Sequence, residues 1–466
     1  MPTPQPPPDP DIGRRSGGSR WDLQSSSILR LITLCALYAA QGLPYGFIAI
    51  TVIAYLTREG MTPDAISGLL IMVGLPWSFK WMWGPLIDLI GIPAMGRRRP
   101  WILLSQSIVI ALLLVMGLVP GLLDDPSTLG WCLFLLNCFV ALQDVSVDAL
   151  AVDLLRPEER GRVNGLMYGC NYGGLAIGSA ALGMVVVRNG IEAAFLVLAV
   201  CIGLIMLLPL FLRERQGDRL LGVVRTRDQD SLSNADRNIA DPDRLTLGRI
   251  ATTLLNILRA FLTLPTAAGV LLALLASIST GLFAVYFPKL MLEELGWELE
   301  SYTGTTGSIA FVGLAGAILG GFLADAVGPR RLAAVSGLCS AGLWIIFALT
   351  RPYWDNGISM VTIMILEAGL GGMFSVSLFA LFMGVSWKLV AATQFTAYMA
   401  LLNASRLIGN KLGGWMEDDV TYNQIYLISA LSITAAVMVL PLVNPEQAQA
   451  AFRRFQRTSD RDGGRD

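Results

Sequence analysis

The chain of 466 residues carries 34 Lys and Arg against 35 Asp and Glu, no histidine, and 15% charged beside 54% hydrophobic residues. That balance excludes an ordinary soluble domain and points to a chain that mostly faces lipid or other apolar helices, with no nucleic-acid partner. Without histidine there is no usual switch near neutral pH and no commonest transition-metal ligand, so proton chemistry falls to carboxylates and neither metal nor cofactor is expected.

In chain order, Met1 to Gly18 is rich in Pro, Gly and Arg and is expected to be disordered within a tail spanning 1–27. Apolar runs long enough to cross a hydrocarbon core follow at 28–57, 64–88, 101–120, 128–152, 162–187 and 191–212. A polar linker occupies 213–261. Its end, from Arg244 to Phe261, places apolar residues at helical spacing opposite arginines, as an amphipathic helix or as the frayed start of the next span. A second set of runs lies at 262–291, 303–325, 331–350, 357–385, 391–416 and 422–443, before a tail at 446–466. The expected fold is an all-α integral membrane protein of twelve transmembrane helices, in two six-helix pseudo-repeats at 28–212 and 262–445. The 6 cysteines, at positions 35, 132, 138, 170, 201 and 339, all fall inside apolar runs and read as small apolar side chains.

Lys and Arg concentrate on one side of these runs: the N-terminal tail, the loops at 97–99, 156–162, 213–259, 330–331 and 388, and the C-terminal tail. Arg58, Arg188 and Arg351 are the exceptions, and the opposite loops are acidic, with Glu293, Glu294, Glu298, Glu300 and Glu417-Asp418-Asp419. The bias places both termini in the cytoplasm.

One element occurs twice. Gly84-Pro85-Leu86-Ile87-Asp88, followed by Gly96-Arg97-Arg98-Arg99, returns as Gly321-Phe322-Leu323-Ala324-Asp325, followed by Gly328-Pro329-Arg330-Arg331. Each copy joins two apolar runs at the same membrane edge, which marks an internal duplication. Two sets of six spans with this repeated hinge resemble the major facilitator superfamily of secondary transporters over about residues 25–445. In that fold, Asp88 with Arg97, Arg98 and Arg99, and Asp325 with Arg330 and Arg331, imply gating pairs that cross the halves when the transporter faces outward; the alternative is that the arginines serve topology and lipid headgroups alone.

Within that superfamily, Phe79-Lys80-Trp81-Met82-Trp83-Gly84, Gln143-Asp144-Val145-Ser146-Val147-Asp148, Pro157-Glu158-Glu159-Arg160-Gly161 and Ala392-Thr393-Gln394-Phe395 resemble the peptide and acetyl-coenzyme A transporter group. That group includes the AmpG-type muropeptide permeases and the acetyl-coenzyme A transporters. Gln41-Gly42-Leu43-Pro44 leans toward the second branch, the Ala-Thr-Gln-Phe segment toward the first.

Charges inside the spans are the main site candidates, because each costs about 2.5–3.5 kcal/mol at mid-helix. Asp144 and Asp148 lie one turn apart and share a face, and Lys80 lies at matching depth. Lys80 would neutralise one carboxylate while the other titrates, or the pair serves only to hold two helices together. Glu367 and Arg406 form a second candidate pair with the same ambiguity. Asp144, Asp148 and Glu367 are the candidate proton carriers. Gln41, Tyr45, Lys80, Asn171, Tyr172, Asn403 and Arg406 are candidate substrate contacts, and Asn410 suits a cavity lining. Lys289 and Lys411 sit near the outer ends of their spans, where they are expected to snorkel to water.

No nucleotide-binding loop, metal constellation or Ser-His or Cys-His arrangement is present, so no catalytic residue is expected. The sequence reads as a monomeric, proton-coupled transporter of a bacterial inner membrane, with lipids, protons and an anionic or zwitterionic small molecule as partners, a muropeptide before an acetyl-coenzyme A thioester or a ferric siderophore. The competing class is a non-transporting membrane acyltransferase or scaffold.

Overall fold

A computed structural model describes residues 22–89, 95–122, 125–155, 157–214, 218, 220, 255, 258–387, 390–416 and 420–462. The chain forms long helices: α1 Ser27–Arg58, α2 built from Pro63–Ser78 and Trp83–Leu89, α3 Arg99–Leu118, α4 Pro126–Leu154, α5 Pro157–Asn189 and α6 Ile191–Phe211. After the linker come α7 Leu264–Glu294, α8 Leu299–Val327, α9 Pro329–Leu349, α10 Gly357–Val385, α11 Ala391–Met416, α12 Tyr422–Leu442 and α13 Pro445–Asp462.

Local sequence sets many of the helix starts. Thr62-Pro63, Asp125-Pro126 and Thr263 followed by Pro265 each place a capping oxygen just ahead of a proline that needs no backbone donor. At Asp125 the Thr128 hydroxyl and the N–H groups of Ser127 and Thr128 hold the carboxyl below its ordinary range. Two helices change pitch after a proline. One π-helical turn, Phe47–Val52, follows Pro44 in α1, and another, Leu290–Glu294, follows Pro288 in α7.

Eleven helices among the described residues are long and apolar enough to cross a membrane, and α11 has membrane length but falls short in apolarity. Its polar residues, Gln394, Asn403, Arg406, Asn410 and Lys411, explain the shortfall. α11 is nevertheless a bundle helix, packed between α2 and α7.

The packing repeats. α1 lies on α5, α2 on α4 and α3 on α6; correspondingly α7 lies on α11, α8 on α10 and α9 on α12. The two sets meet through α5 on α8 and α2 on α11. The repeated hinge also repeats its backbone: Gly96 and Gly328 have φ of 98° and 90°, a conformation that a side chain disfavours.

Helices of the second set touch backbone to backbone. A Cβ built at Gly316 of α8 would lie 2.3 Å from the carbonyl oxygen of Gly369 in α10. Gly316→Val is therefore expected to part these helices and destabilise the protein by about 1–3 kcal/mol, the usual cost of overpacking. Thermal unfolding in detergent checks this; an unchanged midpoint would mean that the interface yields freely.

Of the two terminal segments, the first departs from expectation. Residues 22–26 are not a free tail: Asp22 and Leu23 are buried, and the Leu23 N–H donates to the Arg213 carbonyl at 2.9 Å. The C-terminal segment is the helix α13, because Ala448, Phe452 and Phe455 form a stripe on one face. Phe452 stacks on Trp387 at 5.3 Å, and the Gln449 amide donates to the carbonyls of Gly384 and Ser386. Most of the linker and Met1 to Gly18 lie outside the described residues, as does most of the segment read as an amphipathic helix.

Candidate functional site

The candidate site grows from a break in α2. Pro76 removes a backbone donor, the helix ends at Ser78, and Lys80–Met82 form a single 3-10 turn before the helix resumes at Trp83. Lys80 thus projects from an interruption rather than from a continuous helix. Its Nζ lies 2.9 Å from Asp144 Oδ2 on α4 and 5.6 Å from the centre of the Trp77 ring. The Trp77 indole N–H donates to Asn137 on α4 at 3.1 Å, a second tie across the same interface.

One turn along α4, Asp148 accepts a hydrogen bond from the Tyr38 hydroxyl of α1. Tyr38 meets Tyr168 of α5 edge to face at 5.7 Å, and its carbonyl accepts from the Asn171 amide at 3.3 Å. The two carboxylates therefore differ in partner and in exposure. Asp144 is 7% exposed and paired with an ammonium; Asp148 is exposed and paired with a neutral phenol. The ammonium sets a full opposite charge against Asp144, whereas the phenol offers Asp148 a neutral hydrogen bond.

Arg406 of α11 forms the second group. Its Nη1 donates to the Tyr45 hydroxyl of α1 at 2.7 Å, with the guanidinium carbon 5.7 Å from the Tyr45 ring centre. The expected Arg406–Glu367 pair is not formed; Glu367 is half-buried on α10 and has no charge partner among the described residues. Tyr172 and Asn403 are half-buried, Tyr172 lies beside Tyr45, and Asn171 is tied to α1 as above. Gln41 (3% exposed) and Asn410 (0%) are buried among the helices and do not line an open cavity.

The hinges differ. In the first, the Arg98 Nε donates to Asp153 on α4 at 3.0 Å, and Arg99 donates to the carbonyls of Pro209, Leu210 and Leu220. Glu214 accepts the Arg98 and Arg99 backbone N–H groups at the start of α3, a site for negative charge at a helix N-terminus. These contacts stay within the first set of helices. In the second hinge Asp325, Arg330 and Arg331 are exposed and make no ion pair among the described residues. The Asp88 side chain lies outside the described residues.

Hydrogen bonds between the two sets lie at mid-depth and toward the face opposite the hinges, called here the far face. Besides Arg406–Tyr45, Ser179 donates to the Thr303 carbonyl at 2.7 Å, and Lys411 meets Asp64 at 3.4 Å. Lys289 lines a far-face cleft of about 230 Å³ with Arg58 and Glu293.

Helices packed as two matching sets, joined at and beyond mid-depth, with charged groups held inside, are the arrangement of a secondary transporter. The Major Facilitator Superfamily model matches residues 33–414, and the chain belongs to that superfamily. It is a membrane transporter and not an enzyme. Among relatives, the anhydromuropeptide permease of Escherichia coli (strain K12) is 26% identical over 422 residues, covering 88% of this chain and 79% of the permease. Among solved structures, a D-xylose–proton symporter superimposes with a TM-score of 0.67 at 13% identity, covering 91% of this chain and 99% of the symporter. A bacterial homologue of the human lysosomal transporter Spinster, inward-facing and unoccupied, gives 0.63 at 15% identity, covering 92% and 98%.

Sequence reading did not single out Tyr38, Tyr168, Trp77 or Glu214. A signal existed for the first two: Tyr38 stands on the same helical face as Gln41 and Tyr45, and Tyr168 one turn before Tyr172.

Proposed function

We propose that the chain moves a carboxylate-bearing metabolite of the muropeptide class across a bacterial inner membrane by proton-coupled alternating access, as a monomer with both termini in the cytoplasm. The observation that carries the coupling is the pair of unlike carboxylates on α4. Lys80 sets its positive charge against Asp144, which leaves Asp148, hydrogen-bonded among the described residues to the Tyr38 phenol, as the group that takes up and releases the proton. Glu367 is the second candidate carrier. Lys80, Tyr45, Asn171, Tyr172, Asn403 and Arg406 contribute to the solute site; Gln41, being buried, supports it from behind.

The muropeptide class rests on the similarity to the anhydromuropeptide permease along most of both chains, and on Arg406 and Lys80 as cationic groups at depth. Contacts between the helix sets on the far side, with Asp325, Arg330 and Arg331 exposed on the other, fit a state open toward the cytoplasm. In the outward-facing state, Asp325, Arg330 and Arg331 acquire partners across the halves together with the first hinge.

Uptake by proteoliposomes, with and without an imposed pH gradient, tests this reading. Accumulation of an anhydromuropeptide that collapses with the gradient is expected. Response to a coenzyme A thioester or a ferric siderophore alone would reassign the substrate, and gradient-independent equilibration would remove proton coupling.

Orientation has its own test. In a background without the native cysteines, Arg331→Cys is expected to react with a membrane-impermeant maleimide only in inverted vesicles, and Asp355→Cys only in right-side-out vesicles. Both positions are exposed, on opposite faces. The reverse pattern would invert the topology.

A further inference from the structure

We infer that Arg406 is the anion receptor of the solute site and that Tyr45 is the side chain it gives up on binding, so that a carboxylate arriving in the cavity unfastens the innermost tie of the far-side gate. This rests on the proposed reading of a transporter for an anionic solute, and adds to it the residue that recognises the charge and the contact that recognition breaks.

Among the described residues, Arg406 is the arginine held at mid-depth, where an ionised group is costly unless a function retains it. Its hydrogen-bond partner is a neutral phenol, not a carboxylate. Glu367, at similar depth, does not neutralise it. The half-buried guanidinium therefore offers four further N–H donors beyond the one engaged, the inventory suited to a planar anion. Tyr45 accepts one hydrogen bond as a neutral acceptor, whereas a carboxylate accepts two in parallel and brings an ionised acceptor to the same ionised donor. The carboxylate wins that exchange.

The backbone around Arg406 is fixed, so the exchange is one of side chains. A Cβ at Gly409 would stand 2.1 Å from the Ile278 carbonyl oxygen, and one at Gly281 would stand 2.2 Å from that of Arg406; α11 and α7 touch there without a gap. Tyr45 lies between Gly42 and Gly46, where a Cβ would stand 2.0 Å from the Asn171 carbonyl oxygen and 2.1 Å from that of Leu175, so here too the exchange is one of side chains. Tyr45 follows Pro44 and precedes the π-helical turn Phe47–Val52, beyond which the end of α1, Ile53–Arg58, packs against α7 and its own π-helical turn. Arg406–Tyr45 is the deepest of the ties between the sets; Ser179–Thr303 and Lys411–Asp64 lie farther out. A solute entering from the hinge side reaches the Arg406–Tyr45 tie first.

The test uses full-length protein in nanodiscs, with spin labels replacing Glu59 and Glu298, exposed far-face positions on opposite sets. Without ligand, Tyr45→Phe, which keeps the ring and removes the hydroxyl, and Arg406→Gln are both expected to populate longer far-face distances than the parent. If both stay as closed as the parent, the inference is overturned whatever the substrate.

The binding arm compares an anhydromuropeptide with its fully amidated form. The free acid is expected to bind about ten-fold tighter than the amide, consistent with trading a neutral acceptor for an ionised one. Arg406→Gln is expected to erase that preference. Tyr45→Phe is expected to tighten acid binding, since it removes the competing acceptor. Equal binding of acid and amide by the parent, or weaker acid binding by Tyr45→Phe, would overturn the exchange. If neither form binds the parent, the muropeptide reading fails, and the tie is then judged on the ligand-free distances alone.

Discussion

Replacing Asp148 by asparagine is expected to abolish accumulation of solute against its gradient while leaving insertion, folding and downhill exchange intact. The amide keeps the shape of the carboxyl group and still accepts the Tyr38 hydroxyl, so the α1–α4 contact survives. It cannot bind and release a proton, so each cycle returns without coupling. Asp144→Asn also stops uphill transport, by a different route. It removes the anion opposite Lys80 and leaves an ammonium without its 2.9 Å partner, so it lowers stability together with coupling. The two variants thus separate on a second axis: Asp148→Asn has a near-parental thermal midpoint, Asp144→Asn a lowered one. Counterflow, which needs binding and reorientation but no net proton movement, is expected to persist in Asp148→Asn. If both variants concentrate solute normally, the proton carrier lies elsewhere and Glu367 is the next residue to replace.

What the sequence revealed, and what it did not, follows from the reach of each signal. Run length marked twelve spans because crossing a hydrocarbon core demands them, and the structure places a helix at every one. The repeated hinge was legible because glycine, carboxylate and arginines recur in the same order; the matching positive φ of Gly96 and Gly328 is its backbone expression. Depth along two helices set Lys80 level with the carboxylates of α4 without saying which of the two it meets. It failed for Glu367 and Arg406, because depth fixes height but not the direction in which a helix face points. Arg406 turns instead toward Tyr45 of the other set. The break in α2 was hidden within an unbroken apolar run: Pro76 alone does not reveal whether a helix kinks or unwinds. Glu214 was invisible for another reason. It sits just past α6 in a charged stretch that reads as linker, and only the fold brings it against the N-terminus of α3.

Lys80→Ala is expected to destabilise the first set of helices rather than merely weaken transport. It strands Asp144, which is 7% exposed, beside an apolar surface with no cation to replace the lost one. Breaking a buried ion pair from one side costs about 3–5 kcal/mol, and here the lower end is expected because the Lys80 side chain is 31% exposed and water can partly follow the loss. The same substitution removes the ammonium from the Trp77 ring, a smaller effect of about 0.5–1 kcal/mol. A double-mutant cycle separates a structural pair from one kept for function. Lys80→Ala combined with Asp144→Asn leaves no uncompensated charge at position 144, so it is expected to recover most of the thermal stability lost by Lys80→Ala alone, yet to recover no proton-driven accumulation. Stability restored together with uphill transport would show that the pair only holds α2 to α4 and that the coupling carboxylate works without it. A Lys80→Ala protein as stable as the parent would show that the Lys80–Asp144 pair does not hold α2 to α4.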